Sequence, residues 1–194
     1  MNQISILGIV GSQRPQSYNR FALKAAQALV PDGVTIDLFE LHDIPYFAPK
    51  HEHSAPPAVI EFRRRVMAAD AILFATPECH HAVPGKLKSA IDWASRPYGE
   101  GVWRGKPAAV MSASTGGLTT ARAQHHLNQI LAGLEMPIVD RPGGINGHAE
   151  RRFSPDGELI DDLTRQFIRG LVAELASLVR GEWAARGFRV KEVA

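Results

Sequence analysis

The chain carries one cysteine, Cys79, in 194 residues. An intrachain disulfide framework is therefore excluded, and the composition suits a reducing compartment, so a cytoplasmic location is expected. No apolar run has membrane-spanning length, and the opening apolar stretch is short and lacks a charged leader region; neither an anchor nor a signal peptide is expected. An excess of one charge is missing too. The 22 basic and 20 acidic residues leave a formal +2, and the basic ones are scattered, which argues against a nucleic-acid partner. The densest run, Arg63-Arg64-Arg65, reads as the solvated face of a helix. Two phosphate-loop signatures are absent, the Gly-Lys-Ser/Thr ending of a Walker A loop and the G-x-G-x-x-G dinucleotide fingerprint, which counts against ATPase and simple dehydrogenase chemistry. Internal repeats and low-complexity tracts are absent as well.

What remains is an ordinary globular composition, 45% hydrophobic and 22% charged, long enough for one substantial core. A single domain over residues 1–180 is expected, with 181–194 as a tail. Apolar β-rich runs alternate with helical patterns, which predicts βαβ units and a parallel sheet. Strands are predicted at Ile4 to Val10, Val34 to Phe39, Asp70 to Thr76, Ala108 to Ser112 and, as a short fifth, Pro137 to Val139. Between them lie helices marked by Phe21, Ala25 and Leu29, by Val59, Phe62 and Val66, by Leu87, Ile91 and Ala94, and by Ala123, Leu127, Ile130, Leu131 and Leu134. The segment from Leu41 to Pro57 reads as an irregular, Pro- and His-rich surface loop. A closing helix carries a stripe of Leu159, Leu163, Phe167, Leu171, Leu175 and Leu178, either core or dimer face.

The chemistry concentrates in the loops that follow strands one, three and four, which a parallel sheet brings to one edge. Gly11-Ser-Gln-Arg-Pro-Gln-Ser-Tyr-Asn19 runs from a buried strand into a helix. It offers the hydroxyls of Ser12 and Ser17, the guanidinium of Arg14, the amide of Asn19 and a helix N-terminus, an arrangement suited to a phosphate. Thr76-Pro-Glu-Cys-His-His-Ala-Val-Pro84 combines a rigid Pro77 with backbone amides that can lie along a planar ring. Ser112-Ala-Ser-Thr-Gly-Gly117 adds hydroxyls and two glycines that let the backbone come close to a ligand. Phosphate at the first loop and a flat heterocycle between the other two describe a mononucleotide such as FMN.

These residues resemble the NADPH-dependent FMN reductase family, which includes quinone and chromate reductases. Gly11 to Arg20 is similar to the family's G-S-x-R-x-x-S-x-N phosphate loop. Thr76-Pro-Glu78, Pro84-Gly85 and Ile91-Asp-Trp93 resemble its second loop and helix, and Gly105-Lys-Pro107, Ser112-Ala-Ser114, Gly116-Gly117 and Arg122-Ala-Gln124 its third. The resemblance implies a flavodoxin-like three-layer α/β sandwich: a five-stranded parallel sheet in the order 2-1-3-4-5 with helices on both faces. It also implies an enzyme that passes hydride from NADPH or NADH through FMN to a small-molecule acceptor such as a quinone, free flavin, azo compound or chromate. The alternative is an FMN-binding module for electron transfer or regulation without nicotinamide turnover. Carried over by position, Ser12, Arg14, Ser17 and Asn19 would hold the phosphate, with Arg20 in a lesser role. Pro77, Glu78, Cys79 and His80 would line the isoalloxazine, and Ser114, Thr115, Gly116 and Gly117 would close its far side. No side chain need act as acid or base, and a homodimer or homotetramer is implied.

The chain departs from that pattern where relatives usually carry Tyr-Asn after Pro-Glu and it carries Cys79-His80-His81, and again at Leu118-Thr119-Thr120, where relatives commonly have more glycine. The eight histidines raise the question of a metal. Adjacent pairs such as His125-His126 point apart on a helix, and no Cys or carboxylate recurs at zinc-site spacing, so no metal is expected. Cys79 reads as a small loop residue rather than a reactive thiol, and Trp93 as core or interface.

Overall fold

The structure, a computed structural model, describes residues 3–116, 120–139 and 147–181. The first predicted strand is β1 (Ile4–Val10), followed by α1 (Tyr18–Ala28), β2 (Val34–Glu40), α2 (Pro57–Ala68), β3 (Ala71–Ala75), α3 (Gly85–Ala94), β4 (Ala108–Met111), α4 (Thr120–Gly133) and α5 (Asp162–Val179). All pairings are parallel, and the sheet has four strands in the order β2-β1-β3-β4.

The expected fifth strand is a correction: among the described residues it amounts to a single parallel bridge, Ile138 beside Ala108. Pro137 has no N–H to give the ladder, so only two bonds form, Ala108 N–H to Pro137 O (2.8 Å) and Val139 N–H to Ala108 O (2.9 Å). The neighbouring residues 140–146 lie outside the described ones.

Alternation along the strands divides the core into two layers. Ile4, Ile6, Val10, Leu73, Ala75 and Met111 face α1 and α5, while Leu7, Ile9, Ile72, Phe74 and Val110 face α2, α3 and α4. Gly8 lies on the first of these faces, where a Cβ would stand 2.8 Å from Leu38 and 3.1 Å from Leu23; the missing side chain lets α1 settle onto the sheet.

Three local expectations are revised. The buried face of α5 runs through Thr164, Ile168, Leu171, Val172, Leu175 and Ala176, while Leu163 is 73% exposed. Leu159 precedes the helix, and a strict four-residue step drifts about 40° per turn from a 3.6-residue period, which moves Leu163 off the core face. The segment after β2 is anchored rather than wholly superficial, because Leu41 and Ile44 are buried and Trp93 Nε1 donates to Pro45 O at 2.9 Å. Arg63 does not simply face solvent: it donates to the carbonyls of Trp93 (3.2 Å), Arg96 and Glu100 (2.9 Å), tying α2 to the end of α3. The predicted tail falls outside the described residues from 182 on.

Candidate functional site

The strand order reverses between β1 and β3, and a crevice at such a switch point is the usual ligand position in an open α/β sheet. A cleft of about 570 Å³ opens there, lined by the loops after β1, β3 and β4. A second hollow, about 300 Å³, includes the starting residues of β1 and contains the Arg65–Asp37 ion pair.

Gly11 lets the first two loops meet. Its N–H donates to Ala75 O at 2.8 Å, and a Cβ would sit 3.0 Å from both that oxygen and Thr76 Oγ1. Ser17 caps α1 in extended conformation, accepting from Asn19 N–H at 3.3 Å. That bond uses an oxygen lone pair and leaves the hydroxyl proton for a ligand, at a helix end already favourable to anions. Ser12 Oγ likewise accepts from Arg14 N–H at 3.3 Å, and the exposed Arg14 side chain has no ion pair among the described residues.

Asn19 is 2% exposed and straps the first loop to the third: Nδ2 donates to Ala113 O at 3.0 Å and Oδ1 accepts from Ala113 N–H at 2.9 Å. Beyond this strap, the backbone of Ser114 and Thr115 is held by the segment that precedes α5. Ala149 N–H donates to Ser114 O (3.1 Å) and His148 N–H to Thr115 O (3.3 Å). Gln124 Nε2 donates to Ser112 Oγ at 2.6 Å, fixing α4 to the same loop.

The loop after β3 ends in a two-residue hairpin turn. Cys79 and Ala82 exchange both backbone bonds, at 2.9 and 3.0 Å, and His80 and His81 occupy its centre at φ 49° and 66°. Positive φ at both central positions defines a type I′ turn, normally built from Asn-Gly. The turn aims His81 back at Glu78, with Nδ1 3.0 Å from Oε1. The Glu78 side chain is 8% exposed, and its Oε2 is buried with no partner.

Of the residues singled out in the sequence, Ser12, Arg14, Ser17, Asn19, Pro77, Glu78, Cys79, Ser114 and Thr115 line the cleft together. Cys79 is exposed there. Arg20 does not line it; its guanidinium pairs with Glu40 at 2.8 Å. His80 stands exposed on the turn, Gly116 N–H donates to Ser114 Oγ at 3.1 Å without lining the cleft, and Gly117 lies outside the described residues. Gln13, Gln16, Tyr18, Pro84 and Ala113 join the lining without having been singled out as ligands. The Tyr18 ring is fixed by Phe21 and Phe153, both 6.0 Å away. The first two belong to the polar loop and could have been included on that ground; Ala113 carries no signal, since its part is played by its backbone.

The cleft accommodates a ligand with an anionic end and a ring that donates N–H. The loop after β1 and the start of α1 bring hydroxyls, a cation and helix N–H groups to the lining, and the loop after β3 brings a buried carboxylate oxygen in need of a donor. FMN meets both demands, with its phosphate and with the ring N–H of its isoalloxazine.

A parallel sheet with this cleft at its switch point defines a flavodoxin-like flavoprotein. The sequence profile of the NADPH-dependent FMN reductases matches residues 4–150, and the chain belongs to that family. It is 44% identical to an NAD(P)H-dependent FMN reductase of Pseudomonas aeruginosa, over 92% of this chain and 97% of that one. It is 41% identical to a quinone reductase of Pseudomonas putida, over 93% and 97%. Among solved structures it resembles FerB, a flavoenzyme NAD(P)H:(acceptor) oxidoreductase from Paracoccus denitrificans, with a TM-score of 0.84, 31% identity, and coverage of 92% of this chain and 98% of that one. The chain is an oxidoreductase that uses FMN with NAD(P)H as co-substrate.

Proposed function

We propose that the cleft holds FMN with its phosphate at Ser12, Arg14, Ser17 and the N-terminus of α1, and its isoalloxazine against Pro77, Glu78 and Cys79, and that the electrons are delivered to a quinone. The observation that carries this is the pair of groups that line one cleft: an exposed cation, Arg14, beside the start of α1, and an unpartnered, buried carboxylate oxygen of Glu78 in the loop after β3. The chemistry supplied by bound FMN is relay of hydride from nicotinamide to acceptor.

The chain's own residues bind and orient. Arg14 and the two hydroxyls neutralise phosphate charge, Pro77 stiffens the backbone beside the ring, and Glu78 takes a ring N–H. Asn19 keeps the first and third loops at fixed separation, so the ring is gripped by preorganised walls. Ser114 and Thr115, supported by Ala149 and His148, close the pyrimidine end. The P. putida relative's name supports quinones as acceptors, with chromate as a further substrate of the same reduced flavin. Residues 1–180 act as one domain, in the cytoplasm and as a homodimer or homotetramer, because the family resemblance and the lone cysteine favour that setting. Among the described residues no helix is long and apolar enough to cross a membrane.

The test is anaerobic. FMN-loaded protein mixed with NADPH or NADH should lose its visible flavin absorbance, and addition of a benzoquinone should restore it with stoichiometric hydroquinone. Colour that persists with both nucleotides, or a bleached protein that quinones fail to reoxidise, would overturn the reading.

A further inference from the structure

Arg122, linked to the cleft through His81 and Glu78, has no part in holding the FMN phosphate in the proposed reading. Glu78 lines the cleft and receives His81 Nδ1–H at 3.0 Å. On the other side of that imidazole, Arg122 Nη1 lies 3.1 Å from Nδ1 and 3.1 Å from Nε2. An atom equally distant from both ring nitrogens lies along neither lone pair, so the guanidinium aims Nη1 at the imidazole between its two nitrogens. Its remaining N–H groups are then free to meet a planar or tetrahedral oxyanion.

Arg122 is exposed at the start of α4, and among the described residues no carboxylate pairs with it directly. An exposed arginine ordinarily samples many rotamers, and holding one costs side-chain entropy. Here the buried Glu78 fixes His81, the I′ turn fixes the imidazole's direction, and the imidazole in turn holds Nη1 of the guanidinium. The result is a preorganised cationic fork one imidazole away from the carboxylate at the ring end.

We infer that Arg122 grips the pyrophosphate of the reducing dinucleotide. This rests on the reading that the isoalloxazine lies against Pro77, Glu78 and Cys79. For hydride transfer the nicotinamide must stack on that ring, and the first anionic group beyond it, one ribose away, is the pyrophosphate. The 2′-phosphate of NADPH lies farther out, on the adenosine ribose, so the contact serves NADH and NADPH alike. His81 and Glu78 act as positioning residues for the fork.

The experiment uses the FMN-loaded enzyme and three hydride donors: NADPH, NADH and N-benzyl-1,4-dihydronicotinamide, which carries the reacting ring and no phosphate. For Arg122→Met, kcat/KM is expected to fall about tenfold or more with both dinucleotides, the size of a lost charge-assisted contact to phosphate, and to stay unchanged with the benzyl donor. Arg122→Lys, which keeps the charge and loses the fork, should fall between. Calorimetric titration with NADP⁺ and with NAD⁺ should show matching losses of affinity, while FMN affinity is unaltered. A loss confined to NADPH and NADP⁺ would assign the 2′-phosphate and overturn the pyrophosphate contact. An equal loss with all three donors would make Arg122 a support of the flavin loop, and no loss would remove it from the site; either overturns the inference with the flavin reading intact. A wild-type protein unable to bind FMN would overturn both.

Discussion

Replacing Asn19 by alanine tests the strap between the first and third loops of the cleft. The side chain is 2% exposed and makes two bonds to Ala113, which is itself 4% exposed. Asn19→Ala strands both the N–H and the C=O of Ala113 away from water. Each stranded group costs about 1–3 kcal/mol, so a total near 3 kcal/mol is expected once partial hydration of the small space is allowed for. With a urea m-value of about 2 kcal/mol per molar, the midpoint should drop by about 1.5 M. Asn19→Asp should recover little, because a carboxylate accepts from Ala113 N–H but faces Ala113 O with no proton to donate. The assay is equilibrium urea unfolding of the flavin-free protein followed by fluorescence and circular dichroism, with FMN affinity measured separately under native conditions. A stability change below about 0.5 kcal/mol, within the range of an ordinary surface substitution, would refute the reasoning. If Asn19→Ala left stability intact and abolished FMN binding, the side chain would be a phosphate ligand and not a strap.

Arg14→Ala should weaken FMN by about tenfold or more, a charge-assisted phosphate contact being worth roughly 1.5–3 kcal/mol, and leave riboflavin affinity and folding stability unchanged. Fluorescence-quenching titrations with both ligands check this, and equal losses for the two would move the phosphate elsewhere. Asp161 caps α5, accepting Thr164 N–H at 2.7 Å. The Thr164 hydroxyl and N–H, aided by Arg152, hold its carboxyl below the usual carboxylate range. Because the folded-state value is depressed, its contribution is present above the unfolded value near 3.9 and is lost as pH falls through the folded value. Asp161→Ala should therefore cost about 1–2 kcal/mol at pH 7, and the gap to wild type should narrow steadily in urea titrations below about pH 4. A gap constant with pH would rule out the carboxylate charge as its source.

The strands were legible where local pattern and tertiary context agree. Ile4–Val10 and Ala71–Ala75 are apolar runs with turn residues or helix ends on either side, and a parallel sheet buried on both faces asks for no more than that. The fifth strand and the α5 stripe misled for local reasons, a proline that cannot join a ladder and a four-residue step that drifts around a helix. Arg63 misled because its partners sit 30 and more residues away, and three like charges in sequence look the same whether solvated or capping a neighbouring helix. In the site, the loops themselves could be read, since hydroxyls, a guanidinium and a helix start lie within one short segment. The contact between Asn19 and Ala113 spans 94 residues and engages backbone only on one side, so nothing in the sequence marks it. Glu78–His81–Arg122 was hidden for another reason. Its geometry depends on a type I′ turn built from two histidines, and the usual Asn-Gly signature of that turn is missing.

The most direct test of the central claim is a crystal structure of the protein grown with FMN. Density for the phosphate among Ser12, Arg14, Ser17 and the α1 N-terminus, with the isoalloxazine against Pro77 to Cys79 and a ring N–H within hydrogen-bond distance of Glu78 Oε2, is the predicted result. FMN bound outside the cleft, or in the reverse direction with its phosphate toward Glu78, would contradict the account.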